Sequence, residues 1–302
     1  MMSDPLDLSI VVLTHNTCAL TLACLRSIDA EPNPDRREVL VVDNASTDGT
    51  ADALQRNHPT ARVLRSEVNL GFGGGNNVGL KAARGRHVLL LNSDTEVRPG
   101  ALAALVAFMD AHPEVGACGP KLLNSDGSLQ PSGRALPSLG SVFVDMTRLY
   151  RLTRRNVFGE AGRDYNVPRK VGEISGAALL LRRAVYDRIG GFDPGFFLFY
   201  EDVDLCKRVN EAGCAVYYVP AAEVVHHWGG TMRAISRTAH KAGEDSLRWY
   251  FAKHHGRFAL GAVSAMLAGK EALLWLAGAV RGDDDAAGFH RAMLQRALGP
   301  LP

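Results

Sequence analysis

The amino-terminal half repeats one pattern: a run of β-branched and aliphatic residues, a short polar cluster, then a stretch with helical spacing. "LSIVVLT" reads as a buried strand, "TLACLRSIDA" as a helix, "EVLVVDN" as a second strand and "TADALQRNH" as a second helix, and "RVLRSE" and "HVLLLNSD" continue the series. Strands alternating with helices in this way build a parallel sheet, because each parallel connection needs a crossover. The pattern predicts an α/β fold and directs attention to one edge of it. In open α/β sheets ligands bind outside the carboxyl ends of the strands, where this chain places Thr14, His15 and Asn16, then Asp43 and Asn44, then Asn92, Ser93 and Asp94.

Beyond the helical "ALAALVAFMDAH" the chain becomes rich in turns, with Asp126-Gly127 and Pro131 between short strands. "GAALLLRRAVYDRIGGFDPGFF" gives a strand, a short helix and a Gly190-Gly191 break. "EDVDLCKRVNEAG" follows as a helix with Val203, Cys206 and Val209 on one face and Gly213 at its end. "AVYYVP" is a further strand, leading into "AEVVHHWGGT".

A chain of 302 residues holds one large α/β domain with an appendage, or two modest domains. Its 46% hydrophobic and 22% charged content excludes extensive disorder, and a net charge of +2 argues against nucleic acid as a partner. The five cysteines are scattered and form no Cys-x-x-Cys pair, so neither a disulfide framework nor a zinc knuckle is indicated, and a reducing cytoplasm fits best. The start "MMSDPLDLSIVVL" has acids where a signal peptide carries bases. Only Phe258 to Val280 raises a membrane question. Lys270 and Glu271 divide it into two apolar halves shorter than the roughly 20 residues of a spanning helix, and the basic "AKHHGR" before it suits anionic headgroups. A buried helical hairpin and interfacial attachment are both open readings.

Several residues carry chemistry. Asp43 closes a buried strand and can accept the N3–H of uracil or thymine, while Ser46, Thr47 and Asp48 suit a helix cap. "NLGFGGGNNVG", Asn69 to Gly79, reads as a flexible glycine loop that lets backbone approach a ligand; it matches neither the P-loop nor the dinucleotide fingerprint. Asp94 follows a buried strand and suits a hard divalent cation. His226 and His227 point to opposite faces if extended, so one of them at most faces a given site. "FFLFYEDVDLC" sets Glu201, Asp202 and Asp204 among aromatic and aliphatic residues, and acids there need a compensating reason.

In their order and spacing, "VVLTHN", "VVDNASTDGT", "NLGFGGGNNVG", "LLLNSDTEV", "GGFDPGFFLFYEDVDLCKR" and "VVHHWGGT" resemble family 2 glycosyltransferases of the GT-A fold, and within them the bacterial rhamnosyltransferase-type branch. The resemblance spans Leu8 to Thr231. It implies a Rossmann-like mixed sheet flanked by helices, with a GT-A domain over residues 1–235 and a helical, membrane-associating region over 236–302. Within that domain residues 6–125 would form the nucleotide-sugar half and 126–235 the acceptor half. Thr14, His15, Asn16 and Asp43 match residues holding base and ribose. Asn69, Gly71, Phe72, Asn77, Asn92 and Ser93 fall in the nucleotide-sugar pocket. Asp94 matches the last acid of the Asp-x-Asp metal motif, whose first acid is here Asn92, and His226 aligns best with the family's metal- or diphosphate-holding His, with His227 as the alternative. Asp202 matches the catalytic base with Glu201 beside it, and Gly176, Ala177, Glu201 and Trp228 fall on the acceptor side. Asp204 reads as structural.

The resemblance therefore implies an inverting, Mg²⁺- or Mn²⁺-dependent transferase at the inner face of the cell membrane. Its donor would be a dTDP- or UDP-sugar, plausibly dTDP-L-rhamnose, and its acceptor a glycan or polyprenyl-linked precursor of the cell envelope. Peripheral membrane contact and a homodimer are open partner states. A non-catalytic nucleotide-sugar-binding protein is the competing class, and the intact Glu201-Asp202 pair and Asp94 argue against it. A nucleotidylyltransferase is disfavoured by "THNTCA", which stands where a phosphate loop would be.

Overall fold

The computed structural model describes residues 6–33, 36–150, 164–227 and 236–301. They divide into two compact units: the first draws on Met1–Leu136, Gly162–Phe197 and Glu201–Ala234, the second on Pro137–Ala161, Leu198–Tyr200 and Ile235–Pro302.

The first unit is built on a sheet to which ten of the described strands contribute. Strands β1 (Leu8–Thr14), β2 (Arg37–Asn44), β3 (Arg62–Ser66) and β4 (His87–Asn92) run parallel in the order β3-β2-β1-β4. The expected alternation is present, with helices α1 (Cys18–Asp29), α2 (Thr50–Asn57), α3 (Gly71–Ala82) and α4 (Ala101–Ala111) between and after the strands. Past β4 the sheet becomes mixed. It contains β5 (Thr95–Val97), β6 (Val115–Leu123), β7 (Leu129–Gln130), β9 (Arg169–Val171), β11 (Ala178–Arg182) and β12 (Ala215–His226); β8 (Gly133–Arg134) and β10 (Glu173–Ile174) form a separate pair. β11 lies antiparallel between β4 and β6, β12 is parallel to β6, and β5 is antiparallel to β12.

Side chains alternate across the pleat, so the two faces have separate cores. Ile10 and Val12 of β1 pack with Leu25, Ile28, Leu105 and Met109 on one side. Val11 packs on the other with Leu40, Leu80, Leu205 and Val209, the last two from α7 (Glu201–Glu211). A short helix α6 (Arg183–Ile189) precedes α7.

The glycine segment departs from the sequence expectation: Gly71 to Ala82 is helix α3, not a loop. Each glycine costs helix stability of about 0.8–1.0 kcal/mol relative to Ala, and close packing offsets it. A Cβ on Gly79 would lie 2.2 Å from Val11 Cγ1, and one on Gly75 would lie 2.4 Å from Leu13 Cδ1. Only glycine lets this helix sit so near β1.

The second unit contains α5 (Leu139–Thr147), opened by a Ser138/Ser141 capping box, α8 (Ser236–Arg281) and α9 (Asp284–Leu298). The sequence left open a hairpin within Phe258 to Val280. Instead those residues form one continuous helix, and the chain breaks at Gly256 (φ 78°) and Gly282 (φ 71°), both in the left-handed region that favours glycine. Among the described residues this is the one helix long and apolar enough, by length and composition alone, to cross a membrane. Its polar residues are engaged within the unit. Arg248 is buried and donates to Ser264 Oγ (3.1 Å) and the Arg296 carbonyl (2.9 Å), and Arg296 forks onto Asp245 (2.6 Å for both contacts).

Gly79→Ala should lower stability by about 1–3 kcal/mol, the usual cost of overpacking a tight core. Gly261→Ala, in α8 with no atom within 4 Å of the new Cβ, should leave stability unchanged or raise it by up to about 1 kcal/mol. Urea denaturation of the two variants checks both signs.

Candidate active site

The register of the parallel strands sets Thr14 beside Asp43 and Leu13 beside Asn92, bringing the polar strand ends to one edge. The loops beyond are laced together. His15 Nδ1 donates to the Asn44 carbonyl (2.7 Å), Asn16 N donates to Ser46 Oγ (3.0 Å), and Asn16 Oδ1 accepts from Thr47 N (2.8 Å). Asn16 takes φ 53°, a conformation that asparagine tolerates better than most residues. Asp43 is completely buried. Its Oδ1 accepts from Ser46 N (2.9 Å), its Oδ2 accepts no hydrogen bond among the described residues, and the Arg65 guanidinium stands 3.7 Å from it. A buried carboxylate oxygen without a donor is costly, and a ligand N–H would satisfy it.

Thr14 and Ser93 occupy a different place from the one expected. The Thr14 hydroxyl is buried in a ladder with Thr17 (3.0 Å) and Thr21 (2.8 Å), and Thr17 extends it to Ser93 (2.8 Å). Their side chains tie β1, α1 and the end of β4 together. The amides of Asn69, an exposed residue, and of half-buried Asn77 are likewise hydrogen-bonded within the protein. Asn44 Nδ2 donates to Asn69 Oδ1 (3.0 Å), which also accepts from Gly71 N (2.9 Å), and Asn44 Oδ1 accepts from Leu70 N (2.9 Å). These bonds satisfy amides that open α3. Asn77 pairs with the backbone of Phe192 through both amide atoms, at 2.8 and 2.9 Å. A Cβ on Gly191 would lie 2.1 Å from Asn77 Oδ1, so this pairing explains one glycine of the Gly190-Gly191 break.

Gly71 and Phe72 pack against the segment that leads into α7. Phe72 N donates to the Phe197 carbonyl (3.1 Å), and the Phe72 ring meets Phe192 edge-on at 5.9 Å. A Cβ on Gly176 would lie 3.1 Å from Phe72 Cζ and 3.3 Å from Asp202 Cβ, so Gly176 brings the phenyl ring and the acid close together. Ala177 is buried, and its carbonyl accepts from Asn92 N (3.0 Å), linking the segment before β11 to the end of β4.

The acids of α7 have distinct environments. Asp202 is half-buried, and its Oδ2 accepts from Gly176 N and its Oδ1 from Val203 N, both at 2.8 Å. Desolvation raises its pKa, against the opposing pull of those two N–H groups and the charge of Arg134. Glu201 is 5% exposed, and its Oε2 accepts no hydrogen bond among the described residues. Burial, reinforced by the charge of Asp202, holds its carboxyl well above the usual range. Asp204 is fully buried and bonds Arg208 Nε (2.8 Å), whose other nitrogens bond the Ile189 (3.1 Å) and Gly191 (2.7 Å) carbonyls.

Pairing of β5 with β12 sets Thr95 opposite His226 and brings His226 Nε2 to 3.3 Å from Asp94 Oδ1. His226 Nδ1 lies 2.7 Å from Gln130 Oε1, an acceptor, so the proton of the neutral ring sits on Nδ1. The Nε2 lone pair then faces the Asp94 carboxylate. His227 is directed elsewhere, to Ser125 Oγ (2.8 Å) and Glu96 Oε1 (2.9 Å). Sequence reasoning missed Gln130 and Arg134, which lie in "LQPSGR" with no motif to mark them; only the tertiary pairing gives them roles. Trp228 lies outside the described residues.

Asp94 with His226 Nε2 can hold a divalent cation, the Asp43 oxygen can accept from a base, and Asp202 can take a proton. The family model described as glycosyl transferase family 2 matches residues 9–190. The chain is 36% identical over 233 residues, 72% of its own length and 71% of the relative's, to an N-acetylglucosaminyl-diphospho-decaprenol L-rhamnosyltransferase of Mycobacterium tuberculosis. It resembles the mannosyltransferase PcManGT from Pyrobaculum calidifontis, solved with GDP-Man and Mn²⁺, at a TM-score of 0.58 and 20% identity over 98% of this chain and 87% of that one. GalNAc-T7, solved with UDP, GalNAc and Mn²⁺, matches at a TM-score of 0.58 and 16% identity, over 83% of this chain and 50% of that one. On the strength of the domain match and the close relative, the chain belongs to glycosyl transferase family 2 and is a glycosyltransferase with the GT-A fold.

Proposed function

We propose that the chain transfers L-rhamnose from dTDP-L-rhamnose, with inversion, to a hydroxyl of a polyprenyl-diphosphate-linked N-acetylglucosaminyl precursor of the cell envelope. The observation that carries this reading is Asp202, a carboxylate fixed by two backbone N–H groups beside Phe72 and Gly176 with its pKa raised by burial. A general base gains strength as its pKa approaches the working pH. The relative's rhamnosyl transfer to a decaprenyl-linked sugar supports the choice of donor and acceptor. Residues 1–235 form the catalytic part in this reading, its nucleotide-sugar half before about residue 125 and its acceptor half after it.

Asp43 Oδ2 accepts the N3–H of the base, with His15 and Asn16 beside the ribose. Uracil and thymine offer the same edge, so a UDP-sugar is the second reading. Asp202 takes the proton of the acceptor hydroxyl as its oxygen attacks the anomeric carbon and the bond to the donor diphosphate breaks. Glu201 stays neutral beside it, leaving one charged carboxylate at the reaction centre. Asp94 and His226 would hold a Mg²⁺ or Mn²⁺ ion, which when bound would supply positive charge against the departing diphosphate. Gln130 keeps the His226 proton on Nδ1 and so keeps Nε2 available to the metal.

We place the enzyme at the cytoplasmic face of the membrane, in peripheral contact with it. In α8, Phe258 (97% exposed), Leu273, Leu276 and Val280 are exposed at helical spacing, bounded by exposed Arg257 and Arg281. An uncharged stripe ending in basic residues suits an anionic bilayer surface.

Asp202→Asn should retain donor binding and lose transfer by roughly 10²–10⁴-fold; near-normal turnover with dTDP-rhamnose would sink the base role. Glu201 contributes stability fully present below its ordinary value of 4.5 and lost as pH rises through its elevated folded pKa. Glu201→Gln should therefore remove that fall as pH rises above about 4.5, read as melting temperature against pH. Gln130→Ala should weaken activation by Mn²⁺ roughly 10–100-fold, whereas full wild-type activity in excess EDTA would reject metal dependence. Phe258→Glu with Leu276→Glu should abolish co-sedimentation with anionic vesicles, and undiminished binding would refute the attachment surface.

A further inference from the structure

The second unit holds a cluster that glycosyl transfer does not use. His240 and Glu244 lie one turn apart in the first half of α8, Glu271 lies in its second half, and His290 lies in α9. His240 Nε2 is 3.1 Å from Glu271 Oε1 and 3.3 Å from Glu244 Oε1, and His290 Nδ1 is 2.6 Å from Glu271 Oε2. The ligand atoms of His240, Glu271 and His290 all lie within 4.8 Å of one another. Four ligands about 2.0–2.1 Å from a tetrahedral zinc ion are separated by roughly 3.4 Å, a spacing that lies within the 2.6–4.8 Å range the three ligand groups span here. Little movement would bring these atoms onto one ion.

Burial makes the cluster more than a surface charge group. Glu271 is wholly buried and Glu244 nearly so. Lys270 Nζ approaches Glu244 Oε1 (2.6 Å) and Glu271 Oε1 (3.1 Å). Two carboxylates against one ammonium leave a negative balance once the imidazoles are neutral. In the metal-free chain a proton on His240, whose pKa is pushed up to about 9 by hydrogen bonds to Glu244 and Glu271, fills that role. Imidazole ligands favour zinc and its transition-metal neighbours, whereas Mg²⁺ prefers oxygen.

We propose that His240, Glu271 and His290, with Glu244 as fourth ligand, form a structural transition-metal site, of which Zn²⁺ is the natural occupant, clamping both halves of α8 to α9. The site is independent of the Asp94-centred cation and lies wholly within the second unit.

The test uses the full chain carrying Asp94→Ala, which removes the carboxylate of the other cation site. After dialysis against EDTA, Zn²⁺ should bind at one equivalent per chain in competition with a chromophoric chelator. It should also raise the melting temperature, and Co²⁺ should give the visible absorption of a tetrahedral site. Adding His290→Ala should lower Zn²⁺ affinity by more than the roughly 10–100-fold typical of losing a supporting partner and abolish the thermal shift. His290→Cys should restore both. Failure of the folded Asp94→Ala chain to retain Zn²⁺ against the chelator overturns the proposal without any variant in the cluster, as does Zn²⁺ binding that His290→Ala leaves unchanged. Either result would leave a protonated ion-pair network in its place.

Discussion

Gly75 and Gly79 let α3 lie against β1 at a distance that any Cβ would forbid, and much of the first unit is arranged around that contact. Because the helix is so close, Asn44 at the end of β2 reaches its first turn, and Asn77 on it reaches the backbone of Phe192. Phe192 in turn packs on Gly73 and Phe72, and Phe72 borders Asp202. A packing requirement at the sheet thus propagates, through side-chain amides acting as substitute backbone, to the position of the proposed base.

The acids of α7 show how one local sequence yields three states. All three lie in the first turn, where the helix N-terminus favours negative charge, yet their surroundings separate them. Asp204 has Arg208 one turn away and is a strut. Asp202 has two backbone donors. Among the described residues Glu201 has neither a cation nor a donor for Oε2, and it keeps its proton to a higher pH. Charge at this helix start is therefore set by the hydrogen-bond partner each carboxylate finds rather than by its residue type.

The parallel half of the sheet was legible in the sequence because β1 to β4 and their helices obey local periodicity, and the ligand-facing edge followed from it. The glycine segment was misread for a specific reason. Its helix is stabilised by Val11 and Leu13, some 60 residues away in the chain, while its local propensity points the other way. Asp94 and His226 were each visible as candidates, but their meeting depends on β5 pairing with β12, a long-range register that no local pattern encodes. Thr14, Asn69 and Asn77 were legible as polar residues at the right edge. Whether such a residue faces a ligand or braces a loop depends on neighbours such as Thr21, Asn44 and Phe192. In the C-terminal region the charged Lys270-Glu271 pair suggested an interruption, yet burial with His240, Glu244 and His290 lets the helix run through it to the breaks at Gly256 and Gly282.

The position of β11 has a consequence for how the chain is made. β11 fills the gap between β4 and β6, pairing Leu179 and Leu180 with Leu90 and Leu89. Until residues 178–182 have been synthesised, β4 has no partner on that side, and a row of leucines stands at an open sheet edge. At about 5–20 residues per second, the interval between completing β4 and completing β11 lasts several seconds. During that time a strand carrying three consecutive leucines is available to any other extended chain. The nascent protein therefore has a window of exposure, set by strand order, in which a chaperone or fast docking of the intervening helices must protect what later becomes the middle of the sheet.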